Sequence, residues 1–179
     1  MIHGTLTNLR AVDRSDLELI HGWLDDPELM RFWGYGAPAV SRASTARRIE
    51  EWLADELVWA HPVALLIETL AGEPCGLLIL SRISAIDRSC ELSLFLGSTS
   101  RGQGIGADVV ETIVDAAFSQ WNFHRLSVQT EEHNATAQAF FARHGFLPEG
   151  RLRDARFLDG AWHDLLIFGR LRSDEGSDE

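Results

Sequence analysis

The sequence has no long apolar run and few cysteines. No stretch of its 179 residues approaches the roughly 18 consecutive apolar residues that a membrane-spanning helix needs. The opening segment, MIHGTLTNLRAVDRSD, lacks the basic start and apolar core of an export signal. Cys75 and Cys90 are the only cysteines, and neither lies in a Cys–Cys or Cys–His spacing typical of metal sites. We therefore expect buried thiols in a reducing, cytoplasmic compartment, with no membrane partner and no metal.

Basic residues are scarce relative to acidic ones. The chain has 16 Lys and Arg against 27 Asp and Glu, and its formal net charge is −11. This charge argues against nucleic acid as a partner, because binding a phosphate backbone needs clustered positive side chains. It is compatible with a small cationic substrate. Length and the lack of a linker predict a single domain over residues 1–172, followed by an acidic, disordered tail at 173–179.

Hydrophobic periodicity predicts alternating groups of strands and helices. A first strand is expected at 4–12, and helical spacing follows within 13–57. Three consecutive strands separated by turn residues are predicted at 63–70, 76–83 and 90–97. After an apolar helical stripe at 109–121 come a strand, a helix capped by Asn134, and a hairpin that turns at Asp159 and Gly160. This order predicts an α/β protein of the mixed α+β type, with helices on the faces of a mixed sheet.

A glycine-rich loop joins the third of these consecutive strands to the next helix. In STSRGQGIGADVV, residues 98–110, glycines precede the helical pattern at positions 102, 104 and 106. Small residues at a helix N-terminus let unpaired backbone N–H groups approach an anion such as a phosphate, and Arg101 can add a charged contact. The GxGxG spacing differs from the GxGxxG of dinucleotide-binding folds, and Ala-Asp follows where a P-loop needs Lys-Ser/Thr.

The loop and further landmarks resemble the GNAT superfamily of acyl-CoA N-acetyltransferases. Residues 101–106 match the family's pyrophosphate-loop pattern, Q/R-x-x-G-x-G/A. The pair His133 and Asn134, followed by Gly145 and Phe146, matches its second landmark. The opening and closing segments look like the branch that contains the ribosomal-protein alanine N-acetyltransferases. The resemblance covers nearly the whole chain and implies the GNAT fold, a central mixed, mainly antiparallel sheet with helices on both faces.

The resemblance implies direct transfer of an acetyl group from acetyl-CoA, as co-substrate, to a primary amine. Backbone groups around Phe95 and Leu96 would hold the pantetheine arm like an added strand, and Asn134 would bond to the cofactor arm. The loop residues implied in cofactor binding are Arg101, Gly102, Gln103, Gly104, Ile105, Gly106 and Ala107. Asn134 also fits a plain helix cap, and one side chain can serve both purposes.

Two catalytic positions of the family hold other residue types here. Phe141 stands where many members have a tyrosine that protonates the leaving thiolate, and Gln129 stands where several relatives of the alanine-transferase type carry a glutamate. A thiolate whose thiol has a pKa of about 8.5 leaves without much help, which offsets a missing acid. Positioning of the two reactants can offset a missing base, so both departures are compatible with catalysis. Glu91 is the remaining candidate for a general base acting through water, with an ordinary strand-end carboxylate as the alternative.

Histidines are expected to be surface or capping residues, since their spacing is not metal-like. They are His124, His133, His144 and His163. Of these, His133 could approach the acceptor because it precedes Asn134. Asp164 matches a position of the family branch and is expected to be structural or to face the substrate.

The cost of deprotonation and the net charge of the chain favour different classes of amine acceptor. At pH 7 an α-amine costs about 1–1.4 kcal/mol to deprotonate and a lysine-like amine about 4–5 kcal/mol, which favours an α-amine of a protein N-terminus or small molecule. Net acidity supports the alternative, a polyamine or aminoglycoside. A non-catalytic acyl-CoA-binding module is a further alternative, because Phe141 and Gln129 depart from the family pattern. Trp33 and Tyr35 are candidate substrate contacts through cation–π attraction. Dimers are common in the resembling branch, so a homodimer is a further expectation.

Overall fold

A computed structural model describes residues 1–33, 40–53 and 62–176 of the chain. Within these ranges the α-helices are α1 (Leu17–Leu24), α2 (Pro27–Trp33), α3 (Arg42–Leu53), α4 (Ile105–Asp115) and α5 (Ala135–Arg143). The strands are β1 (Ile2–His3), β2 (Thr7–Ala11), β3 (Val63–Thr69), β4 (Pro74–Ser84), β5 (Ser89–Leu96), β6 (Arg125–Glu131), β7 (Leu147–Leu158) and β8 (Ala161–Leu171). No helix in the described part of the chain is long and apolar enough to cross a membrane.

The eight strands form one sheet in the order β1-β2-β3-β4-β5-β6-β8-β7. Neighbouring strands are antiparallel except β5 and β6, which run parallel on either side of the α4 crossover. The last strand of the chain, β8, lies between β6 and β7, because α5 carries the chain from β6 past the position that β8 later fills. The sheet is therefore mixed and mainly antiparallel, as predicted.

Helices cover both faces of this sheet. In β4, Leu78 and Leu80 belong to a core cluster with Val109 of α4, against which Phe140 of α5 also packs. The alternate β4 residues belong to a second cluster with residues of α1, α2 and α3, among them Ile20, Leu29 and Ile49. Period-two alternation along each strand thus supplies both cores, which confirms the predicted layers.

The hairpin and the apolar helical stripe are confirmed, and their ends add detail. Asp159 and Gly160 have φ values of 51° and 81°, the two positive angles that a tight type I′ turn requires. After Asp115 the helical stripe continues as one π turn at Ala116–Gln120, in which Trp121 N–H donates to the Ala116 carbonyl. This wider turn ends the helix before β6.

The two ends of the described chain differ from the sequence expectation. The predicted strand at 4–12 is shortened to β2, and the separate strand β1 precedes it, because the Gly4 N–H turns back to the Thr7 carbonyl at 2.8 Å. A Cβ at Gly4 would collide with the carboxylate of Asp108 in α4, so this turn is pressed against that helix. At the other end a short 3-10 helix, Arg172–Gly176, includes the first residues of the segment predicted as a tail.

Candidate active site

Strands β5 and β6 separate after a short paired stretch. Their parallel pairing covers only residues 89–91 of β5 and 125–127 of β6, although β5 continues to Leu96 and β6 to Glu131. We call the opening between 92–96 and 128–131 the β5–β6 gap. Within the described chain no strand pairs with 92–96 on this side. The backbone groups along it can therefore receive an extended amide-containing ligand by strand addition.

Helix α4 begins at one end of the β5–β6 gap with an open N-terminus. Gly102 and Gly104 have φ values of 73° and 81°, a left-handed conformation that favours glycine. Gly104 is the N-cap residue, and no side chain caps the helix there. Asp108 N–H is the donor to the Gly104 carbonyl, so the N–H groups of 105–107 precede the first intrahelical bond. These groups and the helix dipole form a site suited to a phosphate.

Two polar side chains of the loop contact protein backbone. Arg101 Nε donates to the Leu96 carbonyl at 3.2 Å, and its guanidinium lies 3.5 Å from Glu28 of α2. Gln103 Nε2 donates to the Thr99 carbonyl at 2.7 Å and thereby closes the loop on itself. Arg101 thus stands between the end of β5 and the open helix terminus, with about half of its side chain exposed.

Asp108 holds the start of α4 in place, a role that the sequence analysis missed. Its carboxylate accepts hydrogen bonds from Thr5 N–H at 2.8 Å and from the Thr7 hydroxyl at 2.6 Å, and it is buried. Burial acts to raise the pKa of Asp108, but the hydrogen bonds from Thr5 and Thr7 outweigh it and keep the pKa below its usual value. The first turn of α4 is therefore anchored to the β1–β2 turn. The alternation of Thr5 and Thr7 offers no sequence signal for a partner so far along the chain.

Asn134 lies where β6 passes into α5. Its Oδ1 accepts from the Ala137 N–H at 3.0 Å, which confirms the predicted helix cap. Among the described residues its Nδ2 donates to no protein acceptor, so this donor is available to a ligand. Gly106 allows α5 to pack closely on α4, because a Cβ there would lie 3.5 Å from the Phe140 ring.

Glu91 lies at the last paired position before the β5–β6 gap. Its Oε2 accepts from Gln129 Nε2 at 2.9 Å and lies 3.4 Å from Arg82, and 14% of its side chain is exposed. Burial raises the pKa of Glu91, while Arg82 and Gln129 partly oppose the rise. A carboxylate in such an environment is well suited to accept a proton.

The Phe141 ring, at the position where a tyrosine is expected, packs against the core. The Phe141 ring contacts those of Phe140 and Phe146, with centroids 5.2 and 5.6 Å away. His144 is the C-cap residue of α5 and lies against Phe140, and burial lowers the pKa of its imidazole. These contacts are packing, and none of the three phenylalanines can donate a proton.

His133 and His163 lie side by side, a contact that their spacing in the sequence does not indicate. Their Nε2 and Nδ1 atoms lie 3.0 Å apart, and Glu132 lies beside both. The residues are 30 positions apart in the chain, and only the tertiary structure brings β8 beside the β6–α5 turn. Asp164 is structural here: it accepts from the Asp154 N–H and pairs with an arginine of β7, and these bonds lower its pKa.

The predicted acceptor contacts fall largely outside the described residues. Trp33 ends α2, but its side chain is not among those described, and Tyr35 lies outside the described ranges. On the same side of the sheet, Trp23 of α1 packs edge-to-face on Phe95 with ring centroids 5.5 Å apart. Phe95 is therefore buried, and only its backbone can take part in the predicted strand addition.

A sequence profile described as the acetyltransferase (GNAT) domain matches residues 7–147, which include the β5–β6 gap, the glycine loop and Asn134. The chain belongs to the GNAT acetyltransferase family. As a GNAT N-acetyltransferase it is an enzyme that uses acetyl-CoA. The family assignment removes the alternative of a non-catalytic binding module, and the fold prediction is confirmed.

Relatives of this GNAT enzyme include spermidine acetyltransferases and ribosomal-protein acetyltransferases. A spermidine N(1)-acetyltransferase of Vibrio cholerae is 24% identical over 88% of this chain and 88% of its own length. The putative ribosomal N-acetyltransferase YdaF of Bacillus subtilis is 27% identical over 56% of this chain and 55% of its own length. The expected link to ribosomal-protein acetyltransferases is thus one of two similarities, and spermidine acetyltransferases align over more of the chain.

Solved structures show the same fold. That of the Vibrio cholerae spermidine N-acetyltransferase in complex with CoA and spermine has a TM-score of 0.87 at 24% identity, covering 95% of this chain and 98% of that one. The ribosomal L7/L12 α-N-protein acetyltransferase RimL, in complex with CoA, has a TM-score of 0.84 at 21% identity, covering 93% and 94%. Both structural relatives bind CoA, on the same architecture that forms the β5–β6 gap here.

Proposed function

We propose that this enzyme transfers the acetyl group of acetyl-CoA to a primary amino group of a polyamine. The observation that carries the proposal is the largely buried Glu91 carboxylate at the mouth of the β5–β6 gap, held by Gln129 and Arg82. It supplies a proton acceptor for an amine that is almost fully protonated at neutral pH. This reverses the expected order of acceptors, in which an α-amine came first because it costs less to deprotonate at pH 7.

Acetyl-CoA would occupy the β5–β6 gap and the α4 terminus. The backbone of Phe95 and Leu96 would pair with the pantetheine amides, and Asn134 Nδ2 would donate to the cofactor arm. The N–H groups of residues 103–107 would bind the pyrophosphate, with Arg101 adding a charge-assisted bond. In the present conformation Arg101 Nε bonds to the Leu96 carbonyl, so ligand binding would redirect this side chain.

The acceptor amine determines what the protein must do. A polyamine amino group with a pKa near that of lysine, about 10.4, costs about 4–5 kcal/mol to deprotonate at pH 7. Glu91 would accept that proton through water, and the neutral amine nitrogen would then attack the thioester carbonyl. Attack forms the C–N bond. As the C–S bond of acetyl-CoA then breaks, the nitrogen loses its second proton to solvent, and the leaving CoA thiolate, whose thiol has a pKa of about 8.5, takes up a proton from solvent. The ring at Phe141 is compatible with such a route, which needs no protein acid.

Charge and similarity support a polycationic acceptor. The net charge of −11 attracts a small polycation to the enzyme and raises its encounter rate. The Vibrio cholerae relative that aligns over 88% of both chains is named a spermidine N(1)-acetyltransferase. The second candidate is a protein N-terminal α-amine, which the structural similarity to RimL favours. Aminoglycosides share the polycationic chemistry and belong in the same test.

Two further expectations accompany the proposal. Cys75 and Cys90 are buried free thiols, and burial raises the pKa of Cys90 to about 12, with the Glu91 charge adding to the effect. The Cys90 thiol therefore stays protonated and unreactive, and burial shields both thiols, in keeping with a cytoplasmic enzyme. A homodimer also stays a prediction; the edge strand β7 exposes Leu147 and Leu152, which a second copy would cover.

The test is release of CoA thiol from acetyl-CoA with a panel of acceptors. Spermidine, spermine, an aminoglycoside and peptides with free N-termini are compared by kcat/KM, and products are identified by mass spectrometry. The chain contains no lysine, so self-acetylation of lysine side chains cannot contribute background. A polyamine should exceed every peptide in kcat/KM. Preference for N-terminal peptides would overturn the polyamine assignment in favour of the α-amine. If neither the polycations nor the peptides caused release of CoA, both assignments would be rejected.

A further inference from the structure

Three potential metal ligands meet at the end of β6, outside the β5–β6 gap. Glu132 and His133 form the turn that connects β6 to α5, and His163 lies near the start of β8. We call them the Glu132–His133–His163 cluster. We propose that this cluster binds a divalent transition-metal ion of the zinc type and joins the β6–α5 turn to β8. The proposal is independent of the acetyl-transfer function.

The spacing of the three ligand atoms fits such an ion. His133 Nε2 lies 3.0 Å from His163 Nδ1, and Glu132 Oε1 lies 3.6 and 3.8 Å from these two nitrogens. The point equidistant from the corners of a triangle with these sides is about 2.0 Å from each, and zinc lies about 2.0–2.2 Å from nitrogen and oxygen ligands in proteins. An ion at or slightly above this point would contact all three atoms without movement of the backbone.

Hydrogen bonds with groups outside the cluster orient His163 and Glu132 so that one ligand atom of each faces the cluster. His163 Nε2 lies 3.2 Å from the Leu158 carbonyl. A backbone carbonyl can only accept, so this contact assigns the proton of His163 to Nε2 and leaves the Nδ1 lone pair pointing at the cluster. Glu132 Oε2 pairs with Arg151 at 2.7 Å, while Oε1 accepts from the Asp164 N–H at 3.3 Å. The carboxylate is thus fixed with Oε1 toward the two histidines.

Exposure indicates an open coordination site. The His133 side chain is 65% exposed, whereas those of His163 and Glu132 are 17% and 24% exposed. His163 and Glu132 would be the two fixed ligands, and the exposed imidazole of His133 would be the third. Two histidines and one carboxylate leave the remaining positions to water, as in zinc sites with three protein ligands. Asn134 follows His133 directly, so the ion would also hold the start of α5.

Binding is tested on tag-free protein that has been stripped with a chelator. Zn²⁺ is titrated by calorimetry, and Co²⁺ is titrated by its visible absorption, which reports ligand number and geometry. The variants are His133→Ala, His163→Ala and Glu132→Gln, and the matched control is His124→Ala, an exposed histidine away from the cluster. Circular dichroism verifies that each variant is folded. His133→Ala is decisive, because so exposed a side chain can be removed without loss of the fold.

The wild-type and His124→Ala proteins should each bind one equivalent of Zn²⁺. Each cluster variant should lose more than about 100-fold in affinity, beyond the 10–100-fold typical of outer-contact changes. Saturating Zn²⁺ should raise the melting temperature of the wild type and leave that of His133→Ala unchanged, because only a folded site binds the ion. Absence of stoichiometric binding by the wild type, or binding that survives in His133→Ala, would overturn the proposal. All of these measurements are made without acetyl-CoA, so they stand whichever amine the enzyme acetylates.

Discussion

Gln129 of β6 donates a hydrogen bond through Nε2 to Glu91 Oε2 of β5, at 2.9 Å. The bond bridges the two parallel strands at the point where their backbone pairing ends and the β5–β6 gap begins. Gln129 occupies the position at which several relatives of the alanine-transferase type carry a glutamate. Here the carboxylate belongs to Glu91 on the neighbouring strand, and the Gln129 amide donates a hydrogen bond to it. This relationship makes the proposed base testable by two separate substitutions.

Replacement of the proposed base should reduce turnover and spare stability. Glu91→Gln should lower kcat/KM for a polyamine by about 10²–10⁴-fold, the usual contribution of a general base. Because burial raises the pKa of Glu91, its ionised form destabilises the folded state at pH values above the pKa of the unfolded chain. The neutral amide removes that cost, so urea unfolding should show equal or greater stability. Glu73→Gln, in the exposed β3–β4 turn, is the matched control and should change neither quantity. Full activity of Glu91→Gln would exclude it as the base.

The Gln129 contact should set the acid limb of the pH profile. Gln129 lowers the pKa of Glu91 by donating to its charged form, so Gln129→Leu should move that limb of kcat/KM to higher pH. The plateau above the limb should largely remain, because Glu91 is still present. Gln120→Leu, an exposed change after α4, serves as the control. An unshifted limb would mean that another group controls the profile.

Two glycine substitutions should act in opposite directions. Gly104→Ala places a Cβ at φ 81°, which should lower the free energy of unfolding by about 1–2 kcal/mol. Displacement of the first turn of α4 should also raise the KM for acetyl-CoA roughly tenfold, equivalent to about 1.4 kcal/mol. Gly22→Ala, with open space around it in α1, should instead raise the free energy of unfolding by about 0.5–1 kcal/mol and leave KM unchanged. Equal KM values for the two variants would contradict a cofactor role for the loop.

Arg101 should contribute to CoA affinity through its charge. Arg101→Ala should weaken CoA binding about 10- to 150-fold in calorimetry, as expected for loss of a charged hydrogen bond worth about 1.5–3 kcal/mol. The loss should be smaller at high salt, since about half of the side chain is exposed. Arg47→Ala, on the exposed face of α3, should bind CoA as the wild type does. If both variants bound CoA with the same affinity, Arg101 would be a surface residue that does not contact CoA.

The anchor at Asp108 should give a pH-dependent stability. Its pKa is lowered in the folded state, so its contribution is complete above the unfolded pKa of about 3.9 and is lost as pH falls through the folded value. Asp108→Asn should therefore lower the free energy of unfolding by about 1–3 kcal/mol at neutral pH, and the difference should shrink in acid. Urea unfolding of both proteins at several pH values measures this difference in the free energy of unfolding. Glu111→Gln, 71% exposed on the same helix, should show no such dependence, and a pH-independent loss in Asp108→Asn would refute the charge-based account.

The sequence by itself determined the features that depend on neighbouring residues. The positive φ angles of Gly104 and Gly160, the Asn134 cap and the alternation of β5 all follow from local backbone chemistry. The glycine loop, the later landmarks at Asn134, Gly145 and Phe146 and the terminal segments together indicated the family, and the resemblance implied an acyl-CoA site. Each of these signals lies within a few residues of the element that it describes.

Only the tertiary structure decided which distant side chains meet. Glu91 and Gln129 are 38 positions apart, His133 and His163 are 30 apart, and Thr5 and Asp108 are 103 apart. These contacts depend on strand order and register, above all on the placement of β8 between β6 and β7 and the early parting of β5 from β6. Hydrophobic periodicity specifies which face of a strand is buried but not which strand lies beside it. The surroundings of Glu91, the anchor of α4 and the Glu132–His133–His163 cluster were therefore decided by packing of the whole sheet.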